Sequence, residues 1–135
     1  MDQTNQSPKV LIIDDSRTIR HMMDSLMTGF GFSAVHAADG IEAVQQLEKH
    51  WPFDLALVDW EMPRMTGLEF VEVTRAKSNY DSMKVMMVTT INSFQQVAKA
   101  LKAGADEYHM KPVTRESLEA KLQLLDLLPA TEVEA

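Results

Sequence analysis

From Lys9 onward, short apolar runs alternate with longer stretches whose apolar residues recur at helical spacing. The runs are 10–13, 34–37, 55–58, 85–88 and 108–110. Between the first two, Ile19, Met22, Met23, Leu26, Met27 and Phe30 fall at i, i+3, i+4, i+7, i+8 and i+11, which predicts an amphipathic helix. Phe94, Val97, Ala98 and Leu101 repeat that spacing, as do Leu118, Leu122 and Leu125, while 41–49 and 67–77 carry weaker helical patterns. Asp39 followed by Glu42 reads as a capping box. Thr114 is placed to cap the last helix, and Gly104 to stop the fourth. Five strands alternating with five helices predict an α/β fold with a parallel sheet covered on both faces. The unbroken apolar runs 10–13, 55–58 and 85–88 suit its centre. The more polar 106–110 run suits an edge. No internal repeat is present.

Length and charge narrow the function classes. The chain has 135 residues, the size of one domain, and no cysteine, which excludes disulfides, thiolate metal sites and a cysteine nucleophile. A net charge of -7 and a pI near 5.0 argue against a nucleic-acid binder that neutralises phosphates. No apolar run approaches the roughly 18 residues of a membrane helix. Residues 1–9 lack an apolar leader, so a cytoplasmic location without membrane insertion is expected. The expected organisation is a polar, disordered lead-in at 1–8, one domain at 9–128 whose last helix ends near Leu128, and an acidic frayed tail at 129–135.

Candidate chemistry follows from the strand ends. In doubly wound sheets, sites form beyond the C-terminal ends of the strands, near the switch in strand order. The first strand ends in Asp14-Asp15, the third in Asp59, the fourth in Thr89-Thr90 and the fifth in Lys111-Pro112. Three clustered carboxylates repel one another unless a cation intervenes. Lys111 can offset one charge, and a hard divalent ion such as Mg²⁺ the others, since only oxygen ligands are offered. A hydroxyl and an ammonium beside such an ion suit phosphoryl oxygens. Phosphoryl transfer onto one of the carboxylates is the economical reading.

Several separated motifs carry a resemblance. Leu11-Ile12-Ile13-Asp14-Asp15-Ser16, Val58-Asp59-Trp60-Glu61-Met62-Pro63-Arg64-Met65-Thr66-Gly67-Leu68-Glu69, Val88-Thr89-Thr90 and Gly104-Ala105-Asp106-Glu107-Tyr108-His109-Met110-Lys111-Pro112 are similar to the receiver domain of two-component response regulators, in the right order and spacing over residues 8–128. The likeness is strongest to single-domain regulators of the chemotaxis CheY type. It implies a flavodoxin-like (βα)5 three-layer sandwich with strand order 2-1-3-4-5. It implies Asp59 as phosphoacceptor from a sensor histidine kinase. Mg²⁺ would be held by Asp14, Asp15, Asp59 and the backbone carbonyl of Glu61, with Lys111 contacting the phosphoryl group. Thr89 would swing toward the phosphate and Tyr108 follow it inward, changing the surface of the fourth helix, fifth strand and fifth helix. Pro112 would follow a cis peptide bond. The product would be a monomeric switch that binds a downstream effector, the flagellar motor switch or another protein, in chemotaxis or motility control.

The chain departs from the family pattern at Glu61 and Ile91, positions that tune phosphate lifetime in relatives, and at Thr90, which is larger than the usual residue there. The stretch 91–96 also lacks the lysines that enteric relatives carry on the fourth helix, leaving Phe94 as either an exposed partner contact or the first core residue of that helix. Other readings are a phosphorelay intermediate that hands its phosphoryl group to a histidine phosphotransfer protein, a Mg²⁺-dependent aspartyl phosphatase suggested by Asp59-Trp60-Glu61, and a pseudo-receiver. The aspartyl phosphatase is disfavoured by the lack of a cap and by Asp14-Asp15 lying on the wrong strand. The pseudo-receiver is disfavoured because no expected site residue is missing. Trp60 reads as a loop residue that senses the site. Most of the ten methionines read as core, with Met62 and Met65 as active-site-loop exceptions. Arg17 and Arg20 read as exposed on the first helix, Arg17 near enough to the rim to bear on kinase docking. The four histidines lack metal-ligand spacing.

Overall fold

The computed structural model describes residues 7–129. The expectations for residues 1–6 and 130–135 lie outside the described residues. Along the chain run β1 (Lys9–Ile13), α1 (Arg17–Gly29), β2 (Ser33–Ala37), α2 (Gly40–His50), β3 (Leu55–Val58), α3 (Gly67–Arg75), a 3-10 turn (Ser78–Tyr80), β4 (Lys84–Thr89), α4 (Phe94–Ala103), β5 (Glu107–Met110) and α5 (Arg115–Leu124). The five strands pair in parallel in the order β2-β1-β3-β4-β5, and the polar β5 lies at an edge as expected.

Alternation along each central strand divides the core in two. Leu11, Ile13, Ala56, Val58, Val85 and Met87 face α2, α3 and α4, where they meet Ala43, Leu47, Phe70, Val71 and Ala100. Val10, Ile12, Leu55, Leu57, Met86 and Val88 face α1 and α5, meeting Met23, Met27, Leu118 and Leu122. Both faces of the sheet are therefore dry, which is why these strands read as unbroken apolar runs.

The helix ends are closed by side chains. Ser16, Asp39, Thr66, Ser93 and Thr114 each accept the N–H three residues on. Gly104 ends α4 with a φ of 119°, and a Cβ there would stand 2.6 Å from Arg75 Cγ. The Asp39–Glu42 box is only half formed. Asp39 accepts from Glu42 N–H, but the Glu42 carboxylate takes the Ala38 N–H instead of that of Asp39. The last helix stops at Leu124, short of the expected Leu128. Asp126 turns left-handed with a φ of 61°, and Leu127 N–H returns to the Leu122 carbonyl at 2.9 Å. That reversal tucks Leu127 and Leu128 against the α1–α5 core.

On two helices the apolar pattern includes residues that the core leaves out. On α4 the buried residue is Ala100, while Phe94 is 88% exposed and Leu101 47%. On α1 only Met23 and Met27 are fully buried, and Met22 is exposed. Val97 and Ala103 pack partly against the same core, while Phe94 and Leu101 point outward. Trp60 and Met62 are buried in the α2–α4 core, and Met65 packs against it, so the loop methionines are packing residues after all. Arg20 also differs from expectation. It is half-buried and donates to the Asp14 carbonyl at 2.7 Å. The Lys111–Pro112 bond is cis, as is Trp51–Pro52, which no sequence signal had marked.

Candidate functional site

The strand order reverses between β1 and β3, and the two strands end side by side. The parallel ladder continues one step past each. Asp14 N–H donates to the Ala37 carbonyl at 3.1 Å and Asp59 N–H to that of Ile13 at 2.9 Å, which delivers both carboxylates to one rim. Lys111 arrives from β5, its N–H bound to the Thr89 carbonyl at 3.0 Å. One oxygen from each of Asp14, Asp15 and Asp59 lies within 4.8 Å of the others. Lys111 Nζ donates to Asp14 Oδ2 at 2.9 Å and stands 3.6 Å from Asp59 Oδ1. Four of the expected residues thus meet in one pocket.

The electrostatics follow from burial. Asp14 is 1% exposed and Asp59 7%, whereas Asp15 is open to solvent. Burial and the neighbouring Asp14 push the Asp59 carboxyl up to about 6, with a smaller push from Asp15. The Lys111 ammonium and the Trp60 N–H pull the other way without cancelling it. Asp14 accepts Ser16 N–H at 2.9 Å on one oxygen and Lys111 Nζ on the other. Among the described residues, the Asp15 carboxylate accepts no hydrogen bond. One carboxylate is therefore short of positive charge, and another has its lone pairs free. An all-oxygen donor set in that condition could bind a hard metal ion.

The remaining expected residues stand around this pocket. Thr89 ends β4 and is buried. Its hydroxyl accepts the Ile91 N–H at 3.2 Å and does not touch the carboxylates. Tyr108 already lies inward, where burial pushes its phenol above the usual tyrosine range. Its hydroxyl donates to the Ile91 carbonyl. Ile91 is thereby held by Thr89 at its N–H and by Tyr108 at its C=O. Glu61 is exposed and lines an open cleft with Asp15, Trp60, Met62, Thr66, Ile91 and Gln96.

Two features of the rim were not legible in the sequence. A Cβ at Gly67 would fall 2.1 Å from the Asp59 carbonyl oxygen, so only glycine lets α3 start this close to the pocket. Arg64, with a φ of 70°, places both Nε and Nη2 on Asp39 Oδ2, at 2.9 and 2.7 Å. Burial works against the Asp39 carboxylate, but the Glu42 N–H, the Arg64 guanidinium and the Ile41 N–H hold it below the usual carboxylate range. The glycine lay in a quoted motif without a role. The Arg64–Asp39 pair spans 25 positions and has no local signal.

Comparison with known proteins agrees with this arrangement. The response regulator receiver domain family matches residues 10–123. A chemotaxis protein CheY homolog of Campylobacter jejuni is 40% identical over 116 residues, covering 85% of this chain and 89% of that one. Chemotaxis protein CheY1 of Helicobacter pylori is 34% identical, covering 87% and 95%. Among solved structures, chemotaxis protein CheY4 of Vibrio cholerae superposes with a TM-score of 0.82 at 36% identity, covering 88% of this chain and 98% of that one. A family match that spans both strand ends and the lysine loop, with relatives alike over most of their length, shows that this chain belongs to the response regulator receiver domain family and is CheY-like.

Proposed function

We propose that the chain is a phosphorylation-controlled switch in which Asp59 accepts a phosphoryl group from the phosphohistidine of a sensor kinase. The observation that carries this reading is the Asp59 carboxyl itself: it stands at the strand end 3.6 Å from Lys111, and burial with the neighbouring Asp14 pushes it up to about 6. In the transfer, an Asp59 oxygen forms a bond to phosphorus as the phosphorus–nitrogen bond to the donor imidazole breaks. The imidazole leaves and takes up a proton. Asp14, Asp15, Asp59 and the Glu61 backbone carbonyl would hold Mg²⁺, which neutralises charge on the phosphoryl oxygens. The donor set fits that ion, with Asp59 short of positive charge and the Asp15 carboxylate accepting no hydrogen bond among the described residues.

Lys111 supplies the fixed positive charge beside both buried carboxylates. Thr89 donates its hydroxyl proton to the new phosphoryl oxygens, which add close to two negative charges. Turning toward them loosens its hold on Ile91 N–H, and Tyr108 feels the change through the Ile91 carbonyl. Moving such a balance from mostly off to mostly on takes about 5 kcal/mol, within reach of two or three charge-assisted bonds. The surface altered is that of α4, β5 and α5, where Phe94, Leu101 and Met110 stand exposed. An apolar surface of this kind supports binding of a downstream protein, and the names of the relatives support an output in chemotaxis. Glu61 and Ile91, at the mouth of the cleft, set how fast water reaches the aspartyl phosphate. The switch acts as a cytoplasmic monomer whose receiver unit occupies 9–128, between a short lead-in and an acidic tail.

Incubation with a small phosphodonor and Mg²⁺, followed by intact mass, tests the class. One phosphoryl group is gained by the wild type and none by Asp59→Asn. Uptake by Asp59→Asn, or none by the wild type, overturns the proposal. Loss of the group, timed in Glu61→Asn and Ile91→Ala, tests the lifetime role, and unchanged rates in both overturn it.

A further inference from the structure

The loop between β3 and α3, residues 59–66, would supply the Glu61 carbonyl to the cation and carries Asp59 at its start. Asp59, Trp60 and Met62 are buried, but Glu61, Pro63 and Arg64 are exposed, so the outer part of the loop needs an anchor of its own. Three contacts tie it to the N-terminus of α2. Arg64 donates twice to Asp39 Oδ2, the residue that caps α2. Met65 packs over Gly40, where a Cβ would meet its side chain at 2.7 Å. Within the loop, Met65 N–H donates to the Pro63 carbonyl at 2.7 Å and Gly67 N–H to that of Trp60 at 2.8 Å.

The conformation of Arg64 gives this arrangement its meaning. A φ of 70° is unfavourable for arginine by roughly 1 kcal/mol, so the backbone does not choose it unaided. The guanidinium makes two charge-assisted bonds to a carboxylate whose other oxygen is fixed by the Glu42 N–H. Asp39 is rigid because it is a cap, and Arg64 borrows that rigidity. Neither residue reaches the three-carboxylate pocket, so the pair acts through the loop it holds.

We propose that Arg64, anchored on Asp39, is a positioning residue that sets the affinity of the site for its divalent cation by holding residues 60–66 in one conformation. This rests on the reading of the pocket as a Mg²⁺ site. Partners that orient metal ligands from outside the coordination shell typically change affinity by about 10–100-fold when removed.

The test is a calorimetric titration with MgCl₂, with no phosphodonor present, on wild type, Arg64→Ala, Arg64→Lys and Asp39→Asn. Amide hydrogen exchange of the same four metal-free proteins is followed at Met65 and Gly67. Arg64→Ala is expected to bind Mg²⁺ about tenfold more weakly. Its Met65 and Gly67 amides are expected to exchange faster, with thermal stability little changed, because the Arg64 side chain is 61% exposed. Arg64→Lys is expected to recover part of the affinity. Asp39→Asn keeps the cap oxygen and is expected to move with Arg64→Ala. A lowered melting temperature with unaltered Mg²⁺ affinity would mark a merely structural pair and overturn the proposal. So would unchanged exchange at Met65 and Gly67. Normal binding by wild type and Arg64→Ala alike overturns the proposal and leaves the functional reading standing. A wild type that takes up no Mg²⁺ overturns that reading first, and this proposal with it.

Discussion

Asp59 holds its charge in an unfavourable place, and that has a measurable sign. In the unfolded chain its carboxyl titrates near 3.8, and in the fold near 6. Between those values the native state keeps a proton that the unfolded state has shed, so its contribution to stability falls as pH rises through the window. Above the folded value the whole deficit is present. Two units correspond to about 3 kcal/mol as an upper bound. Asp59→Asn removes the charge and keeps the shape. In Mg²⁺-free urea denaturation at pH 7 it is expected to be more stable than wild type by about 2–3 kcal/mol, and by much less at pH 4. Equal stability at pH 7 would mean that Lys111 offsets the Asp59 charge in full. On the proposed reading a bound cation would relieve this charge conflict, and added Mg²⁺ is expected to narrow the difference.

Elements were legible where one physical cause dominates. The central strands are dry on both faces, so 10–13, 55–58 and 85–88 stood out as apolar runs and proved to be the middle of the sheet. The rim was legible for a related reason, since the end of a buried strand is where a carboxylate becomes conspicuous. The inward face of α4 was not. Spacing marks where apolar residues recur, whereas the residue that α4 buries fully is Ala100, and Phe94 and Leu101 are left to solvent. Contacts between side chains distant in sequence left no local trace either. Arg75, at the end of α3, donates to the carbonyls of Gly104, Tyr80 and Met83 and to the Asp106 carboxylate. It joins α3 to the approaches of β4 and β5, and Asp106 in turn receives the first buried N–H of β4, that of Val85. Arg75→Ala would leave three carbonyls and a carboxylate short of a donor. It is expected to lower unfolding stability by about 2–3 kcal/mol in urea, while phosphoryl uptake on Asp59 persists. A loss below about 0.5 kcal/mol would show that water replaces the guanidinium.

At the scale of the whole molecule, Ile91 links the end of β4 to β5, its N–H held by the Thr89 hydroxyl and its carbonyl by that of Tyr108. A receiver built this way reports occupancy of its pocket by a shift in the stability of the entire fold, because a ligand that binds only the native state stabilises it by mass action. At ten times its dissociation constant, Mg²⁺ would contribute about 1.4 kcal/mol, or roughly 5 °C in melting temperature for a domain of this size. Asp15 separates that linkage from ordinary folding energy. Its carboxylate is exposed and accepts no hydrogen bond among the described residues, so Asp15→Asn should melt within about 2 °C of wild type when Mg²⁺ is withheld. It removes one of the three carboxylates that converge within 4.8 Å, so most of the Mg²⁺-dependent rise should vanish. Thermal melts with and without Mg²⁺ decide it: an undiminished rise in Asp15→Asn would place the cation elsewhere on this acidic surface, away from the ends of β1 and β3.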